Sequence, residues 1–144
     1  MGAATHGCHR GCAIRCSGIY VDKDGNFVTK QPEYETVWAH GGNCGIDDLD
    51  AIAALDRMDD DFGLDTIEMG ATIGVAMEAG LAKFGDAQAA IKMVKEVGKG
   101  TPLGRILGNG AAFTGQGVRG RARTRGQGPG HAGLRSPRGP GASA

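Results

Sequence analysis

Asp60-Asp61-Phe62-Gly63-Leu64-Asp65-Thr66-Ile67-Glu68 closes one helix and opens another, and the chain on either side is punctuated in the same way. Gly63 takes at no steric cost the left-handed conformation that a helix needs just past its end. Asp65 and Glu68 stand at the spacing of a capping box, in which Asp65 accepts from the third helical amide and Glu68 reaches back to the cap. Upstream, Asp47 reads as the N-cap of a helix running to about Phe62, with Asp48 and Asp50 complementing the positive end of its dipole. Leu49, Ile52, Ala53, Leu55 and Met58 form its buried side. Downstream, a second helix runs to about Ala79 and is closed by Gly80; its Gly70, Ala71, Gly74 and Ala76 suit the close approach of a neighbouring helix or of a bulky cofactor. Asp86 caps a third helix, in which Ala87, Ala90, Ile91, Val94 and Val97 recur at the helical period and Lys92, Lys95 and Lys99 lie toward the negative end. Thr101-Pro102 opens a fourth, with Leu103, Ile106 and Leu107 inward.

Toward the N-terminus the period changes. Residues 18–29 carry β-branched and aromatic residues on both sides of Asp24-Gly25, a dipeptide suited to a type I′ turn, and predict a β-hairpin. Gln31-Pro32-Glu33-Tyr34-Glu35-Thr36-Val37-Trp38 follows, where Pro32 ends the strand and Glu35 sits in apolar company, either facing solvent or kept for chemistry. His40-Gly41-Gly42-Asn43-Cys44-Gly45 reads as a glycine-rich loop that matches no phosphate-binding signature. The fold class is therefore mainly α, a helical domain with a small β-hairpin near the N-terminus.

A sharp change of composition divides the chain into residues 1–116, the helical domain, and residues 117–144, an arginine-, glycine- and proline-rich tail. All 16 acids lie at or before Glu96, so the formal charge of zero conceals an acidic body and a basic tail. With almost no apolar side chain to offset roughly 1–2 kcal/mol of backbone entropy per residue, the tail is expected to be disordered. Its composition is also what a GC-rich gene yields out of frame. The tail has no stacking aromatic, which argues against the RNA-binding reading of its arginines. No apolar run approaches the roughly 20 residues that cross a bilayer, and nothing in residues 1–6 resembles a secretory signal; a cytoplasmic setting without membrane contact is the expectation.

In such a reducing setting clustered cysteines suggest a metal or redox chemistry before disulfides. Cys8, Cys12 and Cys16 lie at four-residue intervals in a glycine-rich stretch. Thiolates are soft ligands suited to iron-sulfur clusters and zinc. The bland alternative, three small buried residues on one helical face, conflicts with Gly7, Gly11 and Gly18, since a helix-interior glycine costs about 1 kcal/mol relative to alanine.

Taken together, the three cysteines, the Pro32-Glu33-Tyr34-Glu35-Thr36 segment with Gly42-Asn43-Cys44-Gly45-Ile46-Asp47-Asp48-Leu49 behind it, and Asp60-Asp61-Phe62-Gly63-Leu64-Asp65 resemble the middle of an aldehyde ferredoxin oxidoreductase, nearest to the uncharacterised bacterial oxidoreductases of that family. The resemblance covers about residues 4–114 and implies an internal fragment. It implies a tungsten- or molybdenum-bis-pterin centre, a [4Fe-4S] cluster, oxidation of an aldehyde to a carboxylic acid, and ferredoxin or a similar carrier as electron acceptor. A homo-oligomer is compatible with it in the full-length enzyme.

By the same resemblance Cys8, Cys12 and Cys16 are three of the four cluster ligands, although the first gap is one residue longer than the usual family spacing. Asp60, Gly63, Leu64 and Asp65 bind the pterin, with Asp60 as acceptor for the amino-pyrimidine edge and Asp65 serving mainly as helix cap. Glu35 matches a carboxylate near the metal that moves a proton. The fourth cluster cysteine, a second Asp-x-x-Gly-Leu motif and the domain covering the other pterin face lie outside this stretch, so the fragment by itself is expected to catalyse nothing. The rival reading is a non-enzymatic zinc module using the three cysteines with His6, His9 or Cys44.

Overall fold

A computed structural model describes Gly7 and residues 9–124. Its elements are a hairpin, β1 (Ile19–Val21) and β2 (Phe27–Lys30), then α1 (Tyr34–Thr36), a π-helical segment Val37–Gly42, α2 (Leu49–Phe62), α3 (Thr66–Glu78), α4 (Ala87–Gly98), α5 (Pro102–Leu107) and α6 (Gly110–Thr124). The mainly α reading with one small hairpin is borne out. β1 and β2 pair antiparallel, with Ile19 opposite Lys30 and Tyr20 opposite Thr29, and a bulge follows Tyr20.

The hairpin turn is wider than the two-residue turn expected at Asp24-Gly25. The Asp22 carbonyl accepts from the Gly25 amide at 3.1 Å, and the Asp22 amide donates to the Asn26 carbonyl at 2.9 Å. Asp22 Oδ1 takes the Asn26 amide at 2.8 Å and the Asp24 amide at 2.9 Å, and the Asn26 backbone and side-chain bonds chiefly lower its carboxyl pKa. A short polar side chain bonding its own following amides enlarges the loop by one residue.

Most predicted caps are realised. Asp65 Oδ1 accepts from the Glu68 amide at 2.8 Å, Asp86 Oδ1 from the Ala89 amide at 2.9 Å, and Thr101 Oγ1 from the Gly104 amide at 3.0 Å. At α2 the cap is Asp48, not Asp47: Asp48 Oδ1 takes the Asp50 and Ala51 amides at 3.0 and 3.3 Å. Neighbouring acids offer the same cap chemistry, and the start that turns Ile52 and Leu55 inward decides between them. Gly63 ends α2 at φ +67°, with the Leu64 amide on the Asp59 carbonyl at 2.8 Å and the Gly63 amide on the Asp60 carbonyl at 3.2 Å.

Two elements depart from the sequence reading. The loop read at residues 40–45 begins as helix: residues 37–42 are helical, with the Asn43 amide on the Trp38 carbonyl at 2.9 Å, five residues back. Close contact with α3 stabilises this wide turn: a Cβ on Gly70 would lie 2.6 Å from Ala39. The other is α6, which crosses the boundary drawn at residue 116. Val118 is buried, and Thr114 Oγ1 donates to the Ile106 carbonyl at 3.1 Å, so packing against α3 and α5 overrides a weak local propensity. The remainder of the tail, from residue 125, lies outside the described residues.

Leu55, Ile73, Val94 and Leu107 form the fully buried centre of a core shared by α2, α3, α4 and α5. The hairpin joins that body through polar contacts to α2. Tyr20 donates to Asp50 Oδ1 at 2.5 Å, Thr29 Oγ1 to Asp56 Oδ2 at 3.0 Å, and Lys30 Nζ lies 3.6 Å from Asp56 Oδ1.

Candidate cofactor-binding site

At the end of α2 three consecutive acids meet three different fates. Asp59 is fully buried and bonds His40 Nε2 through Oδ2 at 2.7 Å. Asp61 is exposed and takes the Arg57 guanidinium at two points, Nε at 3.0 Å and a terminal nitrogen at 2.9 Å. Asp60 is exposed, and its carboxylate has no partner among the described residues. The middle acid alone is an open acceptor, beside a turn whose direction Gly63 fixes. An ionised carboxylate can take paired hydrogen bonds from a donor edge such as an amino-pyrimidine, so this residue fits a pterin. Leu64 packs against the core and Asp65 is committed to its cap. Those two residues shape the turn.

His40 and Asp59 escaped the sequence reading, yet a signal was present. Ile52, Leu55, Asp56 and Asp59 occupy one helical face, so two acids stand where the period calls for apolar residues. Burial raises the carboxyl pKa of both acids; His40 counteracts this for Asp59, and Thr29 followed by Lys30 for Asp56.

The cysteine loop is built differently. Cys12 and Cys16 are half-buried, and Cys8 lies outside the described residues. Cys16 Sγ donates to Glu33 Oε2 at 3.3 Å, and Ser17 Oγ donates to Glu33 Oε1 at 3.0 Å. The Glu33 hydrogen bond, with a smaller contribution from burial, raises the Cys16 thiol pKa, and ionisation of Cys12 would raise it further. The carboxylate brought to the cysteine loop is Glu33, which sequence reasoning passed over; Glu35, read as the proton-moving carboxylate, is exposed on α1. Thr36 Oγ1 lies 2.9 Å from Thr66 Oγ1, directly after Asp65. Polar contacts therefore run from Cys16 to Glu33 at the head of α1, and from Thr36 at the end of α1 to the start of α3.

The donor chemistry of the loop suits an iron-sulfur cluster, although no three His, Cys, Asp or Glu side chains converge on a metal position among the described residues. Cys44 is unsuited to a zinc site. Its buried thiol lies 3.4 Å from the Ala39 and Gly70 carbonyl oxygens, and burial pushes it up to about 11. No helix among the described residues is long and apolar enough to cross a membrane.

Residues 2–122 match the family described as aldehyde ferredoxin oxidoreductase, domains 2 & 3. Among curated proteins, the tungsten-containing aldehyde ferredoxin oxidoreductase of Pyrococcus horikoshii is 34% identical over 116 residues, covering 69% of this chain and 19% of the relative. The enzymes of the same description from Thermococcus kodakarensis and Pyrococcus furiosus are 53% identical over 51 residues and 54% over 50, each covering 35% of this chain and 8% of the relative. The chain thus spans less than a fifth of the length of these relatives.

Proposed function

The chain belongs to the aldehyde ferredoxin oxidoreductase family, and on that premise we propose that it forms the part of such an enzyme that holds one face of a metal-pterin centre and most of an adjacent cluster. The observation that carries this reading is the partition of residues 59–61, which leaves Asp60 as the one open acceptor beside the Gly63 turn. Asp60 would bind the pterin, with Gly63, Leu64 and Asp65 shaping the turn. Cys8, Cys12 and Cys16 would hold a [4Fe-4S] cluster. When bound, the tungsten- or molybdenum-pterin centre supplies two-electron oxidation of an aldehyde to a carboxylic acid, and the cluster supplies a one-electron path to a ferredoxin.

This chain's own residues contribute binding, orientation and proton handling. Asp60 orients the ring by accepting from its donor edge. Glu35 would accept the proton released in the oxidation, as an exposed carboxylate on α1, the helix that Thr36 ties to α3. Glu33 orients the loop at Cys16. The proposed setting is the reducing cytoplasm, where the thiols remain available as ligands.

Anaerobic reconstitution with iron and sulfide tests the cluster half of this reading. The wild-type chain is expected to gain broad visible absorption with stoichiometric iron, and Cys12→Ser to lose it. A colourless chain, or colour that Cys12→Ser retains, would overturn the assignment.

A further inference from the structure

One fully buried titratable pair among the described residues has no part in the proposed function, and its place in the fold gives it a task. His40 and Asp59 are each 0% exposed and meet at 2.7 Å. Asp59 is fixed twice, by the imidazole at its side chain and by the Leu64 amide at its carbonyl. Successive helical side chains diverge by about 100°, so locking Asp59 inward determines where its neighbour Asp60 projects. The backbone leading into His40 is closely packed: Ala39 abuts Gly70, and the Cys44 thiol lies against the Ala39 carbonyl. Buried acid–base pairs add little net stability compared with well-packed apolar residues, whereas a short charge-assisted hydrogen bond is directional.

From this we infer that His40 is the positioning residue of the pterin-binding turn: through Asp59 it sets the direction in which the Asp60 carboxylate is presented. The inference rests on the reading of Asp60 as pterin acceptor, and it adds a residue from the π-helical segment, distant in sequence from the motif.

The test is calorimetric titration of the full chain with tetrahydropterin under anaerobic conditions, with helix content followed by circular dichroism at the titration temperature. The wild type binds, and Asp60→Asn abolishes binding. The double variant H40L/D59L keeps an apolar contact in place of the pair and stays helical, yet binds at least about tenfold more weakly, the range found when a residue supporting a ligand-binding group is lost. His40→Gln retains a nitrogen donor and binds within about threefold of the wild type, whereas His40→Met, of comparable length without a donor, falls with the double variant. Wild-type affinity in the folded double variant or in His40→Met overturns the positioning role and leaves the Asp60 reading intact. His40→Gln as weak as His40→Met also overturns it. A wild type that does not bind, or an Asp60→Asn that binds equally well, overturns the Asp60 reading and the positioning role with it.

Discussion

The turn between α2 and α3 and the loop carrying Cys12 and Cys16 serve the same proposed site but hold their functional groups by different means. In the turn, Asp59 is held at side chain and carbonyl, Asp61 is matched by Arg57, Leu64 packs against the core, and the Asp60 carboxylate has no partner among the described residues. In the loop, Glu33 gathers the Cys16 thiol and the Ser17 hydroxyl, while Ile14 beside them is 82% exposed. The backbone that carries Asp60, the proposed pterin acceptor, is therefore set by the fold. In the loop the contacts to sulfur are long, with the Arg15 amide 3.5 Å from Cys12 Sγ and Cys16 Sγ 3.3 Å from Glu33 Oε2. On the proposed reading, preorganisation lies where hydrogen-bond direction matters, and strong metal–sulfur bonds would impose their own geometry on the thiols.

Four measurements can break or sharpen this contrast. The largest effect belongs to the turn: His40→Leu alone strands a buried carboxylate and should cost about 3–5 kcal/mol in urea denaturation, while H40L/D59L recovers most of that loss. A double variant no more stable than the single one would remove the charge pair as the cause.

An alkaline titration comes next. The Cys44 thiol is raised by burial from an ordinary 9.0 to about 11, so the folded state holds the proton that the unfolded chain loses first. Stability is complete below pH 9 and falls as pH rises to 11, by about 3 kcal/mol for two pKa units. Cys44→Ala should flatten that fall. Tyr20, raised to about 12 chiefly by its bond to Asp50, adds a decline beginning above pH 10, which Tyr20→Phe isolates.

Gly70→Ala follows, because its methyl would meet Ala39 backbone and Cβ atoms at 2.6–2.8 Å. An overpacking cost of about 1–3 kcal/mol is expected as a lowered Tm. An unchanged Tm would show that the π-helical segment yields easily, and that His40 is less firmly mounted than its contacts suggest.

The smallest effect is expected in the loop. Glu33→Ala should change global stability by less than about 1 kcal/mol, since its hydrogen bonds are only partly buried. It should nevertheless quicken alkylation of Cys16, whose pKa falls once the carboxylate is gone. A large loss of stability would mean that the loop is as rigidly built as the turn.

How much could be read in advance follows the same division. The helical body was legible because its signals are local: Asp65, Asp86 and Thr101 cap helices as their side-chain chemistry requires, and Gly63 stops one. The Asp60 turn could be located through the family resemblance. Its internal partition could not, since Asp59, Asp60 and Asp61 are chemically identical until the helix is rotated against His40. Residues 40–45 read as a loop because Gly41, Gly42 and Gly45 discourage helix in isolation, and close contacts of Ala39 with Gly70 on α3 and of Gly41 with Ile52 on α2 favour the wide turn through residues 37–42. Glu33 and Glu35 differ by two residues, and which of them meets Cys16 depends on how the chain leaves the hairpin.

One contact bears on the order in which the molecule assembles. Glu68 was expected to close its own capping box; instead its Oε1 accepts the Ala111 amide at 2.8 Å, across 43 residues of chain. Starting a helix is the costly step, and α6, with few apolar residues, has little of its own to offset it. The carboxylate that receives its first turn is displayed by α3, so α6 gains this acceptor only once α3 has formed. On a chain emerging from the ribosome that receptor is made first, and α6 condenses on a surface already in place.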